Sequence, residues 1–141
     1  MTPGSPAGPS FSARVIHGSL VVGVMLFWLV AWYSASESAL PVSALPDRRV
    51  LYIGLFLVSA ALFGGAMFTA NRLAPPARGS SPDDWWRVNL GKAVLIWALV
   101  EAPAILGTVA YLLTRDFRAL LATFTGLLFF AAYRPSRLYE R

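Results

Sequence analysis

Cysteine is absent from this sequence of 141 residues, and histidine occurs once, at His17. The absence of cysteine excludes disulfides, thiolate nucleophiles and cysteine metal sites. A single histidine also excludes the common zinc arrangements. The sequence shows no nucleophile–base pair and no cluster of metal ligands. We therefore expect a protein that is not an enzyme and that holds no cofactor and no metal.

Charge is also scarce, because charged residues make up 13% of the chain, whereas a soluble domain carries about 25%. Hydrophobic residues make up 57%. The formal net charge of +5 comes from basic residues at the ends of apolar segments, which is typical of membrane flanks and not of a nucleic-acid surface. The composition therefore predicts contact with the lipid bilayer and no nucleic-acid partner.

Four apolar segments follow a stretch rich in Pro, Gly and Ser. About 20 helical residues cross a bilayer, whereas a barrel strand needs about 10 and alternates in polarity, which no segment here does. We predict an all-α integral membrane four-helix bundle, with a flexible tail over 1–13 and one transmembrane domain over 14–141. The fourth segment is short, but Arg118 can snorkel to the interface, and His17 is expected at headgroup level. The predicted helices are about 15–34, 50–70, 86–113 and 117–133.

The connections between these segments carry topological signals. Basic residues are more numerous on the side of the tail, the second connection and the C-terminus, so the positive-inside rule predicts both termini in the cytoplasm. In the second connection Ser81 is a natural N-cap, Pro82 suits the first helical position, and Asp83 and Asp84 suit the first turn. The third helix should begin near Pro82. The first connection repeats SALP within 38–46 and is expected to be a semi-rigid loop.

One acid, Glu101, lies within the third apolar segment, in the stretch WALVEAPAIL at 97–106. A charge at that depth costs at least about 2.5 kcal/mol, so Glu101 should face protein or water and be largely protonated if it has no partner. Two interpretations stay open: a neutral carboxyl that hydrogen-bonds across the bundle, or a carboxyl that binds a proton or cation. Pro103 has no N–H group, so the carbonyl of Leu99 lacks its intrahelical donor. This carbonyl could bind an ion, or the proline could simply kink the helix for packing.

Small residues indicate the helix faces that pack closely. The second segment contains the pairs Ala60 with Gly64 and Ala61 with Gly65, whose four-residue spacing lets another helix approach. Residues that share the face of Glu101 by helical spacing are Trp97, Ala98, Ala104, Ile105 and Thr108. Several of these are small or polar, which predicts a helix–helix interface there.

Two resemblances follow from the same region. The stretch WALVEAPAILGTVAYLL at 97–113 resembles the outer helix of the ATP synthase rotor-ring (c-type) subunit, and the resemblance places Glu101 at the ion-binding carboxyl of that family. The pattern Glu-Ala-Pro at 101–103 followed by Tyr-Leu-Leu-Thr at 111–114 is similar to uncharacterised small bacterial four-helix membrane proteins. That likeness implies a multi-pass protein of the bacterial cytoplasmic (inner) membrane and no particular activity.

Two functions are therefore expected. The first is a non-enzymatic accessory or interaction subunit of a membrane assembly, which contacts other membrane subunits or copies of itself through its small-residue faces. The alternative is a small proton- or cation-handling protein, similar to the rotor-ring subunit, that uses Glu101.

Overall fold

The computed structural model describes residues 8–37 and 47–140, and every regular element within these ranges is helical. This confirms the all-α class for the described part of the chain. The SALP repeat and residues 1–7 of the predicted tail lie outside the described ranges. The elements are α1 (Pro9–Glu37), α2 (Arg48–Ala70), α3 (Pro82–Thr114), a 3-10 turn (Phe117–Ala119), α4 (Leu120–Ala132) and α5 (Pro135–Tyr139).

The helix α1 begins earlier than the sequence predicts, at Pro9, so residues 9–13 of the predicted tail are helical, and Ala13 is fully buried. The cause is a carboxylate from another helix. The amide of Ser10 donates a hydrogen bond to Asp83 Oδ1 at 3.1 Å. The first amides of a helix have no intrahelical acceptor, and Asp83 satisfies one of them from α3. Residues 9–13 therefore form the first turns of α1.

The helix α3 begins at Pro82, as predicted. The Ser81 hydroxyl accepts the amide of Asp84 at 3.2 Å and donates to the carboxylate of the same residue at 2.7 Å. This is N-capping by serine with proline at the first helical position. The end of α3 is marked by Arg115, whose φ of 56° turns the chain sharply toward α4.

The connection between α2 and α3 is held against the base of α3. The Trp85 indole donates to the carbonyl of Ala74 at 2.7 Å, and the Asn89 side chain accepts the Ala74 amide at 3.3 Å. The Lys92 ammonium donates to the carbonyl of Arg72 at 3.3 Å. Both Trp85 and Asn89 are buried, so the start of α3 is packed more firmly than a solvated helix end.

The central helix is α3, and α1, α2 and α4 pack around it. Of its most apolar stretch, 50% is buried, compared with 11% for α1 and for α2. The side chains of Trp97, Val100 and Ala104 have no exposed surface. The core of the bundle is therefore built around α3, while α1 and α2 keep most of their apolar surface on the outside.

Ring contacts and hydrogen bonds give the directions of the helices. His17 of α1 meets Trp97, and Trp32 meets Tyr111 further along α3, so α1 and α3 run parallel. The Trp97 indole donates to the carbonyl of Tyr133 at 2.8 Å, which fixes the predicted antiparallel hairpin of α3 and α4. The order along the bundle is thus up, down, up and down.

Three helices, α1 to α3, are long and apolar enough to cross a membrane. The fourth apolar helix is shorter than predicted, because its first residues form the 3-10 turn and α4 ends at Ala132. The helix α4 ends at Ala132 for a local reason. Arg134 precedes Pro135 and adopts an extended conformation, which is the conformation favoured before proline.

Candidate functional site

Glu101 lies in α3 one helical turn after Trp97, on the side that faces α1. Its side chain is half-buried. Because α1 and α3 run parallel, the ring contact between His17 and Trp97 places Glu101 at the level of Val21, one turn further along α1. Val21 is apolar and packs against the core.

The carboxyl of Glu101 has no hydrogen bond and no ion pair with any residue that the structure describes. Val21 and the residues on either side of it in the sequence, Leu20 and Val22, carry no polar side-chain group that could donate a hydrogen bond. The hydrogen bond across the bundle that the sequence suggested is therefore not formed within the described residues. Glu101 lies at the edge of the α1–α3 contact as an acid without a partner.

Beside Glu101, α3 presents a surface that the other described helices leave uncovered, and we call it the open face of α3. Its small residues are Gly91, Ala98 and Ala102, of which the first two are exposed and the third is half-buried. A Cβ at Gly91 would meet no atom within 4 Å. The open face consists of Gly91, Leu95, Ala98, Ala102, Leu106 and Val109. Small residues on an exposed apolar face allow another helix to approach closely.

Pro103 and Thr108 do not lie beside Glu101. Pro103 is fully buried, and two helical residues correspond to about 200° of rotation, which places it on the opposite side of α3. The carbonyl of Leu99, which points toward Pro103, is on that side too. The Thr108 hydroxyl donates to the Ala104 carbonyl at 3.1 Å, within the contact with α4. Pro103 therefore faces away from Glu101, while Thr108 lies two turns further along the same side of α3 and bonds to Thr123 of α4.

The small-residue pairs of α2 lie mostly on its outer surface. Ala60, Ala61 and Gly64 are exposed, and a Cβ at Gly64 would meet nothing within 4 Å. Only Gly65 approaches α3, where a Cβ would lie 3.6 Å from Leu99 Cδ1. The residues of α2 that are buried are Ser59, Ala66 and Ala70. Of the four small residues singled out in the sequence, one therefore contacts α3.

The closest helix contact, between α3 and α4, was missed by sequence reasoning. A Cβ at Gly126 would lie 2.7 Å from Ala104 Cβ, and a Cβ at Gly107 would lie 2.8 Å from the carbonyl oxygen of Ala119. The Thr123 hydroxyl donates to the Ala104 carbonyl at 2.8 Å. The signal in the sequence was glycine next to threonine in both apolar segments, which is typical of helices that pack closely in membranes.

His17 lies at the contact of α1 with α3 and α4. Because α1 begins at Pro9, His17 is about two turns inside the helix. Its Nε2 is 3.0 Å from the carbonyl oxygen of Phe130, and its ring meets the edge of Trp97 with centroids 5.2 Å apart. The histidine joins α1 to α3 and α4 and makes no contact with Glu101.

Two observations bound the chemistry of the site. Among the described residues there is no group of three or more His, Cys, Asp or Glu side chains that could hold a metal ion. No protein-family model, no curated protein and no solved structure matches the chain. The function is therefore inferred from the acid at Glu101 and from the surfaces around it.

Proposed function

We propose that the chain is a multi-pass protein of the bacterial cytoplasmic membrane that acts as a non-enzymatic interaction subunit of a membrane assembly. Three apolar helices of membrane-spanning length support insertion. We include α4 as a fourth membrane helix, because Arg118 at the 3-10 turn can extend its guanidinium to the headgroups and so lengthen a short span. The proposed topology places both termini in the cytoplasm, as the distribution of basic residues favours.

The observation that carries this function is an acid without a partner beside an uncovered face of small residues. A carboxyl within the hydrocarbon is costly and normally finds a partner in protein or water. The described helices supply none for Glu101, while Ala98 and Ala102 leave room for a helix from another protein or another copy. A helix packed on the open face would bring a hydrogen-bond donor or acceptor to the neutral carboxyl of Glu101.

Photo-crosslinking in membranes tests this interaction. The chain contains no cysteine, so one introduced cysteine carries a photoreactive label to a single position. We expect the label at Ala98→Cys to form a protein adduct, and the label at Leu57→Cys, which is 60% exposed on α2, to form little. Since a hydrogen bond between membrane helices contributes about 0.6–1.4 kcal/mol, Glu101→Leu should reduce the adduct about three- to tenfold, whereas Glu101→Gln should largely preserve it.

Two results would contradict the proposal. One is equal adduct formation at Ala98→Cys and Leu57→Cys, because the open face would then be no more occupied than an ordinary lipid-facing surface. The other is a full adduct in the Glu101→Leu background, because the acid would then take no part in the contact. The mass of the adduct separates a second copy of this chain from a different subunit.

Proton or cation handling by Glu101 is the second candidate function. The position of Glu101 at the edge of the contact between α1 and α3 favours it. A carboxyl without an ion pair keeps its proton, and it can pass this proton to a group that approaches it from the lipid side of the bundle. An apolar carbodiimide reacts with protonated carboxyls. We expect it to modify Glu101 rapidly, and we expect the rate of modification to fall as the pH rises. Mass spectrometry of the labelled peptide measures the rate, with Glu101→Gln as the blank and exposed Asp84 as the reference carboxyl. An inert Glu101 rules out this candidate and leaves the interaction function untouched.

A further inference from the structure

A groove of about 670 Å³ opens on the outer surface of the bundle between α2 and α4, on a side of the molecule away from the open face of α3. It begins at Tyr52 and Arg118, beside the turn between α3 and α4, and ends at Phe63. At 1.5 Å per residue, Tyr52 and Phe63 are about 16 Å apart along α2, which is half of a hydrocarbon core of about 30 Å. Its apolar walls are formed by Leu55, Phe56, Ala60, Phe63, Leu121 and Ala122. The groove therefore has the length of one leaflet.

The mouth of the groove is positively charged. Arg118 is exposed and forms no salt bridge with a described residue. Its amide donates to Asp116 Oδ1 at 2.9 Å. That amide, then the Tyr52 hydroxyl and the guanidinium charges of Arg118 and Arg48, hold the pKa of Asp116 below its usual value. The charges of Arg48 and Arg118 both act on Asp116, and the exposed guanidinium of Arg118 lines the mouth of the groove.

Ser59 provides a polar group inside the groove. Its hydroxyl is buried without a hydrogen-bond partner in the described residues, and the residue is only 7% exposed. A buried hydroxyl normally has a partner, since leaving it without one is costly. Ser59 lies about 10 Å beyond Tyr52 along α2, which is at the level of an acyl chain and below the ester groups of a lipid.

The charge and the length of the groove favour a lipid as its occupant. An anionic head would meet the exposed Arg118 at the mouth, and an acyl chain would lie along the apolar walls for about one leaflet. We propose that the groove holds one acyl chain of an anionic phospholipid, with its phosphate on Arg118 and Arg48. The lipid comes from the leaflet that contains the turn between α3 and α4. This site is independent of the contact proposed at Glu101.

Native mass spectrometry tests the lipid site on the full chain. The protein is reconstituted in vesicles of equal phosphatidylglycerol and phosphatidylcholine, extracted in mild detergent, and examined for retained lipid. The wild type is expected to retain phosphatidylglycerol in preference to phosphatidylcholine. Since a charge-assisted hydrogen bond is lost, Arg118→Gln should reduce this preference about three- to tenfold. Arg137→Gln, in α5 at the opposite end, is the matched control and should keep it.

A second variant tests the apolar part of the site. Ala122→Phe places a ring in the groove and should reduce the retention of both lipids. A wild type without a preference for phosphatidylglycerol, equal effects of Arg118→Gln and Arg137→Gln, or full retention by Ala122→Phe would overturn the proposal. So would a protein adduct in place of a lipid adduct from a photoreactive label at position 60. Circular dichroism verifies the fold of each variant, and Arg48→Gln tests the same mouth if Arg118→Gln does not fold.

Discussion

Gly126→Val is expected to destabilise the bundle by about 1–3 kcal/mol more than the same substitution at Gly64, because it overpacks the closest contact between α3 and α4. A Cβ at Gly126 would lie 2.7 Å from Ala104 Cβ and 3.2 Å from the carbonyl oxygen of Val100. Neither is the far end of a flexible side chain, so α4 itself must move away from α3. That movement would also lengthen the hydrogen bond from Thr123 to the Ala104 carbonyl, now 2.8 Å.

Thermal unfolding in mild detergent, followed by circular dichroism, measures this effect. Gly64→Val is the matched control, because it makes the same change in a helix where a Cβ meets nothing within 4 Å. Gly64→Val changes helix propensity and backbone entropy in the same way as Gly126→Val, but it creates no close contact. Equal shifts in midpoint for the two variants would show that α4 does not lie against α3 at Gly126.

Trp97→Ala is expected to lower the free energy of unfolding by about 3–5 kcal/mol, because it leaves a cavity at the junction of α1, α3 and α4. The side chain is fully buried, and its ring contacts His17 of α1. Its indole donates to the carbonyl of Tyr133 at 2.8 Å, so the substitution also removes this hydrogen bond between α3 and the end of α4. Packing of this kind persists in lipid, where it replaces the hydrophobic effect as the main stabilisation between helices.

Denaturant unfolding of the detergent-solubilised protein separates these two contributions. Trp97→Phe keeps most of the ring volume and removes the hydrogen bond, so it should cost only about 1 kcal/mol. Trp32→Ala is the control for the loss of a tryptophan, because Trp32 also stacks on a residue of α3, Tyr111, but is 44% exposed. A loss of stability at Trp32 as large as that at Trp97 would contradict the position of Trp97 in the core.

The sequence predicted the helices well and the inward faces poorly. The start of α3 at Pro82 followed from local capping chemistry, and the turn of three residues after α3 required an antiparallel hairpin. The inward faces did not follow, because a helix that is apolar all round carries no polarity pattern to distinguish core from lipid. Four-residue spacing therefore singled out Ala60 and Gly64, which are exposed, and not Gly107 and Gly126, which are buried.

Of the candidate site, the sequence predicted one residue, Glu101, and not its surroundings. Glu101 stood out because an acid is rare in an apolar segment, but its surroundings depended on which helices pack beside it. Helical spacing places Pro103 opposite Glu101, since two residues rotate by about 200°. That Glu101 has no partner among the residues of 8–37 and 47–140 depends on the positions of α1 and α4, which no local pattern in α3 encodes.

The hydrogen bond that completes the start of α1 has a consequence for the synthesis of the chain. It joins Ser10 to Asp83, which lies 73 residues later. A ribosome adds about 5–20 residues per second, so the carboxylate is made about 4–15 s after the amide that it accepts. During that interval the first turn of α1 is without its acceptor, and the central helix is not yet present. The helix α1 is thus translated before α3 but is completed only after α3 has been made.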